Sequence, residues 1–141
     1  MDPFHLALPV HDLCAARDFY EVQLGCAVGR TDPRWLDFNF FGHQLSVHLV
    51  DAQDPAGSTN AVDGEQVPAR HFGVVLSMAS WTELRDRLRS DGVEFLIEPQ
   101  IRFEGGAGEQ ATMFITDPSG NALEFKAVRD LSRLFATDEQ S

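Results

Sequence analysis

The stretch His71-Phe-Gly-Val-Val-Leu76 is a short apolar run led by a histidine, and His5-Leu-Ala-Leu-Pro-Val10 is its earlier counterpart. Runs of this length and composition read as β-strands. Working outward, each is followed by an amphipathic segment. After the first, Asp12 is placed to cap a helix on which Leu13, Ala16, Tyr20 and Leu24 recur at helical spacing. After the second, Ser80-Trp-Thr-Glu83 has the form of a capping box, with Trp81, Leu84 and Leu88 on one face. Both helices are expected to stop at a glycine suited to a left-handed backbone, Gly25 and Gly92. Short strands then follow at 35–41 and 44–50 in one half, with a weaker one near 26–30. In the other half they fall at 93–98, 111–116 and 122–127.

The chain is therefore a tandem βαβββ repeat of the α+β class. The first module spans 1–50 and the second 70–127. Residues 51–69, rich in Asp, Ala, Gly, Pro, Ser and Asn, read as a linker. Residues 128–141 read as a short helix from Asp130 to Phe135 and a polar tail. Neither half can bury its sheet alone, so one structural domain is expected. In it the two mixed sheets form a cup, side by side or against the second subunit of a homodimer.

Composition narrows the function. The 141 residues are 43% hydrophobic and include eleven phenylalanines, enough for a bulky core. Twenty-two acidic residues face eleven basic ones, and the net charge of -11 argues against nucleic-acid binding. No stretch approaches the roughly 20 apolar residues of a membrane span. Met1-Asp-Pro-Phe-His5 has neither the basic start nor the apolar run of a signal peptide, so a cytoplasmic protein is expected. Cys14 and Cys26 flank the first helix without CxxC spacing and are expected to be reduced and buried.

Strand parity then gathers candidate ligands. Side chains alternate faces along a strand. Phe4, Leu6, Leu8 and Val10 form one set, leaving His5 with Ala7 and Pro9. Likewise His71 lies with Gly73 and Val75, opposite Phe72, Val74 and Leu76. His48 lies with Gln44 and Ser46, opposite Leu45, Val47 and Leu49. Glu124 lies with Ala122 and Lys126, opposite Leu123 and Phe125. Each alone has an ordinary reading as a half-buried or solvated strand residue. Together, on the first and last strand of each half, three imidazoles and a carboxylate suit a divalent transition metal. His11 and His43 fall at turns and read as structural or surface residues.

These features resemble the vicinal oxygen chelate superfamily, which includes glyoxalase I, bleomycin-resistance proteins and extradiol dioxygenases. The resemblance spans nearly the whole chain. It is carried by Asp117-Pro-Ser-Gly-Asn-Ala-Leu-Glu124-Phe, by the opening Phe-His5-Leu-Ala-Leu-Pro-Val-His-Asp-Leu, by Arg17-Asp-Phe-Tyr20 with Leu24-Gly25, and by Arg70-His71-Phe-Gly-Val. It implies a metal site whose four positions fall on His5, His48, His71 and Glu124. Arg34-Trp-Leu-Asp-Phe-Asn-Phe-Phe-Gly-His43-Gln and Gly108-Glu-Gln-Ala-Thr-Met-Phe resemble a group predicted to be extradiol-type dioxygenases. In that reading His5, His71 and Glu124 hold Fe(II), with Mn(II), Zn(II) or Ni(II) as alternatives, and His48 is an acid/base beside the metal. The substrate would be a small molecule with catechol-like adjacent oxygens. In a glyoxalase-like lyase or isomerase, His48 is instead a fourth ligand. A bleomycin-resistance-like binding protein or a catalytically silent domain would not need all four residues.

The segment Ile101-Arg-Phe-Glu-Gly-Gly-Ala-Gly-Glu-Gln110 reads either as a mobile lid or as an ordinary hairpin. As a lid, it offers Arg102 to a substrate carboxylate and Phe103 to a ring, with Gln110 at its base. Asp37 and Asn39, sharing a face of the 35–41 strand, are weaker pocket candidates.

Overall fold

The computed structural model describes residues 3–51, 59–62, 65–68 and 70–135. The chain divides into two compact units, Met1–His71 with Thr116–Ala122, and Phe72–Ile115 with Leu123–Ser141.

The first unit contains strands β1 (His5–Val10), β2 (Ala27–Asp32), β3 (Trp35–Phe40) and β4 (His43–Leu49), arranged in the order β1-β4-β3-β2. β1 and β4 run parallel, and the rest are antiparallel. Helix α1 (Leu13–Arg17) starts at Asp12, whose carboxylate accepts from the Ala15 amide at 3.0 Å. It then widens into a π-helical turn, Asp18–Gln23. That extra width buries Phe19 and Tyr20 together although they are consecutive in sequence. Ala16, Phe19, Tyr20 and Leu24 are buried, as are Leu36, Phe38, Phe40, Leu45 and Val47 on the apolar face of the sheet.

The Asp117–Asn121 turn also belongs to this unit. The Tyr20 hydroxyl donates to Asp117 Oδ2 at 2.9 Å, and the Ser119 and Asn121 amides donate to Asp117 Oδ1. Asn121 Nδ2 reaches the Pro9 carbonyl, and the His11 amide donates to Ser119 Oγ. The conspicuous Asp-Pro-Ser-Gly-Asn motif is thus a hydrogen-bonded clasp around a buried carboxylate.

In the segment read as a linker, β5 (Thr59–Val62) and β6 (Glu65–Pro68) pair as an antiparallel hairpin; the rest of 51–69 lies mainly outside the described residues. The second unit repeats the first sheet's order as β7-β10-β9-β8, with β7 (Phe72–Leu76), β8 (Ile97–Arg102), β9 (Gln110–Thr116) and β10 (Ala122–Val128). β7 and β10 are parallel. Trp81, Leu84 and Leu88 of helix α2 (Met78–Ser90) are buried, and the Trp81 indole donates to the Phe125 carbonyl.

Several local expectations shift. The cap of α2 is Ser77, which accepts from the Ser80 amide, so Ser80 lies inside the helix. The strand expected at 93–98 begins at Ile97. Cys14 is exposed on α1 whereas Cys26 is buried, and the two are not joined in a disulfide. The short helix near the C-terminus is a single 3-10 turn, Leu131–Arg133, and the polar tail from 136 lies outside the described residues. The stops at Gly25 and Gly92 are as expected, each with φ 75°.

Candidate metal centre

The register of the first sheet confirms the face that parity assigns to the histidines. His5 stands opposite Gln44, Ala7 opposite Ser46 and Pro9 opposite His48; across the next ladder Trp35 meets His48 and Asp37 meets Ser46. These residues share one surface, opposite the buried Leu45 and Val47. His5 and His48 are exposed on it, but four residues separate them in register, about 13 Å along the strand direction.

The second sheet has a different spacing. Glu124 pairs with Gly73, two residues after His71. No other residue fits at position 73, because a Cβ there would overlap the Glu124 carbonyl oxygen. The position in the first sheet that corresponds to Glu124 is the partner of Ala7, two residues after His5. That residue is Ser46. His48 lies one same-face pair further on and corresponds to Lys126, the partner of Val75. The four candidates therefore share the expected faces without being equivalent positions of the repeat.

Both halves hold a carboxylate with a hydroxyl across neighbouring strands. Thr112 of β9 donates to Glu124 Oε2 at 2.5 Å, and Ser46 donates to Asp37 Oδ1 at 2.5 Å. In the second half the acid is on the strand next to β7. In the first half it is one strand further from β1, and the serine takes the adjacent place. His71 Nδ1 lies 2.7 Å from the Pro68 carbonyl, which selects the tautomer with its lone pair on Nε2.

Among the described residues, no three His, Cys, Asp or Glu side chains converge closely enough to hold a metal ion. The donor chemistry nevertheless fits one. His71 and Glu124 both have the outer hydrogen-bond partner that orients metal ligands, a backbone carbonyl for the imidazole and a hydroxyl for the carboxylate.

The remaining candidates fare differently. Asn39 Oδ1 accepts from the Gly42 amide, which commits it to the β3–β4 turn. His43 Nδ1 accepts from the Phe4 amide and is structural. Arg102 ends β8 opposite Gln110, and Phe103 follows at φ 54° with 67% of its surface exposed. The glycine loop beyond is tied down: Arg129 Nη1 donates to the Gly105 and Gly106 carbonyls at 2.8 and 3.1 Å, and the Gly105 amide donates to Glu109. Two residues that the sequence names as pocket candidates, Asp37 and Asn39, do line the pocket described below. Sequence reasoning missed Ser46, Arg129 and the place of Arg30 in that pocket. Their roles depend on register and on a β-bulge, neither of which leaves a residue pattern.

The sequence profile of the Glyoxalase/Bleomycin resistance protein/Dioxygenase superfamily matches residues 3–125, and the chain belongs to that superfamily. A glyoxalase/bleomycin resistance protein/dioxygenase from Alicyclobacillus acidocaldarius is 38% identical, with 95% of this chain and 96% of that one covered and a TM-score of 0.77. A lactoylglutathione lyase from Agrobacterium tumefaciens shares the fold at 20% identity, covering 96% and 97% of the two chains, with a TM-score of 0.65. A glyoxalase/bleomycin resistance protein/dioxygenase from Nocardioides does so at 22% identity, covering 93% and 85%, with a TM-score of 0.64. No curated protein matches the sequence. Members of the superfamily typically bind divalent metals. No helix among the described residues is long and apolar enough to cross a membrane.

Proposed function

We propose that this protein is a metal-dependent extradiol-type dioxygenase that cleaves the ring of a small catechol-like substrate, with His5, His71 and Glu124 as the ligands. The observation that carries this reading is the register that puts Ser46, not a carboxylate or imidazole, at the counterpart of Glu124. A neutral hydroxyl already engaged with Asp37 is a poor ligand for a divalent ion. The first half then contributes one ligand and the second two. Two imidazoles and one carboxylate form the set that suits Fe(II) and leaves coordination positions open. Mn(II), Zn(II) or Ni(II) can occupy the same donors.

When bound, the metal supplies Lewis acidity and a template for two adjacent substrate oxygens and dioxygen. The chain's own residues do the rest. Thr112 holds the Glu124 carboxylate in one orientation, and the Pro68 carbonyl fixes the His71 ring. His48, on the same face as His5 but displaced along it, is the acid/base that takes the proton from a substrate hydroxyl oxygen and returns it to product.

We place this activity in the cytoplasm and in a homodimer, for which Phe4, 63% exposed beside His5, supplies apolar surface. The test is anaerobic reconstitution with Fe(II) or Mn(II), followed by oxygen uptake on a catechol panel. Uptake with ring-cleaved product is expected. Isomerisation of a thiol hemithioacetal without oxygen uptake would replace this reading with the lyase.

A further inference from the structure

The first sheet carries a pocket of about 310 Å³ lined by Pro3, Arg30, Asp37, Asn39, His43 and Gln44 among others. That is the size of a site for a single ring with its substituents. It adjoins His5, since Gln44 is the cross-strand partner of His5.

A register shift builds this pocket. Val28 pairs with Phe38 and Thr31 with Leu36, so Gly29 and Arg30 together oppose Asp37 as a β-bulge. The bulge turns Arg30 toward the face of Asp37 and Trp35, where its guanidinium lies 5.5 Å from the Trp35 ring centroid. Gly29 lines the pocket beside Asp37, where a Cβ would lie in ordinary contact, 3.5 Å from the Asp37 Cβ. The second sheet also has a bulge, between Ile97 and Gln100, but it carries Glu98 and Pro99 and no cation.

Arg30 has no ion pair or hydrogen bond among the described residues, although the chain carries twice as many acids as bases. It is a guanidinium held over a ring with its donors unspent. Asp37 accepts from Ser46 at 2.5 Å and, weakly, from Gln44 at 3.5 Å, which leaves lone pairs for a further donor.

We propose that Arg30 is the specificity-determining residue of this pocket and that the substrate is a hydroxylated aromatic acid. Its carboxylate is received by the guanidinium of Arg30 through paired N–H donors, and a ring hydroxyl donates to Asp37. The proposal rests on the dioxygenase reading for the fate of the substrate but not for its binding, which uses the chain's own side chains. Carboxylate recognition is thereby assigned to Arg30 of the sheet and not to Arg102 of the loop.

The experiment is a titration of the full chain with 3,4-dihydroxybenzoate and with catechol, anaerobically, with and without Fe(II). Binding is read by calorimetry and by Trp35 emission; Trp81, fully buried, serves as the silent reference. The carboxylated ring is expected to bind about tenfold tighter or more, one charge-assisted pairing being worth at least that factor. Arg30→Met should abolish the preference, bringing the affinities for the two probes level, Arg30→Lys should keep part of it, and Trp35→Phe should remove the emission change. Circular dichroism checks that each variant folds. Equal affinity for the two probes, binding of neither, or a preference that survives in Arg30→Met overturns the proposal. Failure of the dioxygenase reading shows separately, as absent oxygen uptake with this metal-independent preference intact.

Discussion

Ser46 stands in the first sheet where Glu124 stands in the second: each is the cross-strand partner of the residue two places after a histidine. Placing a carboxylate at Ser46 should therefore complete a four-ligand site. Ser46→Glu is expected to raise affinity for Zn(II) or Ni(II) while suppressing oxygen uptake, because the added ligand takes a position the reaction needs. Calorimetric metal titration beside oxygen consumption reads both effects. Raised affinity with undiminished turnover would show that the first half does not face the ion this way.

The ligand set makes its own demand. Alanine at His5, His71 or Glu124 should each remove bound metal, and Thr112→Val should weaken it by about 10- to 100-fold, the usual effect of losing an outer partner. Metal content after gel filtration measures the first, and competition with a chelator the second. Wild-type stoichiometry in all three alanine variants would dismiss the site.

Gly73 is a backbone requirement. Any side chain there meets the Glu124 carbonyl, so Gly73→Ala must push β7 and β10 apart at the pair that carries Glu124. A loss of about 3 kcal/mol or more in urea denaturation is expected, with metal affinity falling too. A stable, metal-competent variant would mean that the strands approach less closely than described.

Tyr20 predicts an alkaline limit. Burial, followed by the charge of Asp117 and the hydrogen bond to it, raises the phenol well above its ordinary pKa of 10.0. The folded state therefore holds this proton more tightly than the unfolded chain. The stability it contributes is complete below pH 10 and is lost as pH rises toward the folded value. Tyr20→Phe should flatten that alkaline slope, and at neutral pH should cost about 1–3 kcal/mol by leaving Asp117 a donor short. Thermal melts of both proteins between pH 7 and about 11 decide it; parallel curves would contradict the assignment.

Much of this was legible in the sequence, for identifiable reasons. Alternation of large and small side chains placed His5 and His48 on one face of the first sheet, as the register does, because a strand has a period of two. The same period cannot separate Ser46 from His48, since both lie on one face and only the register tells which stands opposite Ala7. Asp12 announced its helix because a short acid before an apolar repeat is a local signal, whereas the capping-box pattern at Ser80 pointed three residues past the cap that the backbone uses, Ser77. The bulge at Gly29 and Arg30 and the grip of Arg129 on the glycine loop arise from tertiary pairing and have no local signature.

The most direct test of the three-ligand account is the Fe(II) content of His48→Ala after anaerobic reconstitution. On the proposed three-ligand account, with Ser46 at the counterpart of Glu124, His48 is not needed to hold the ion. The variant should bind Fe(II) with the stoichiometry and affinity of the parent while losing oxygen uptake. A loss of most of the bound iron would make His48 a ligand and contradict the account.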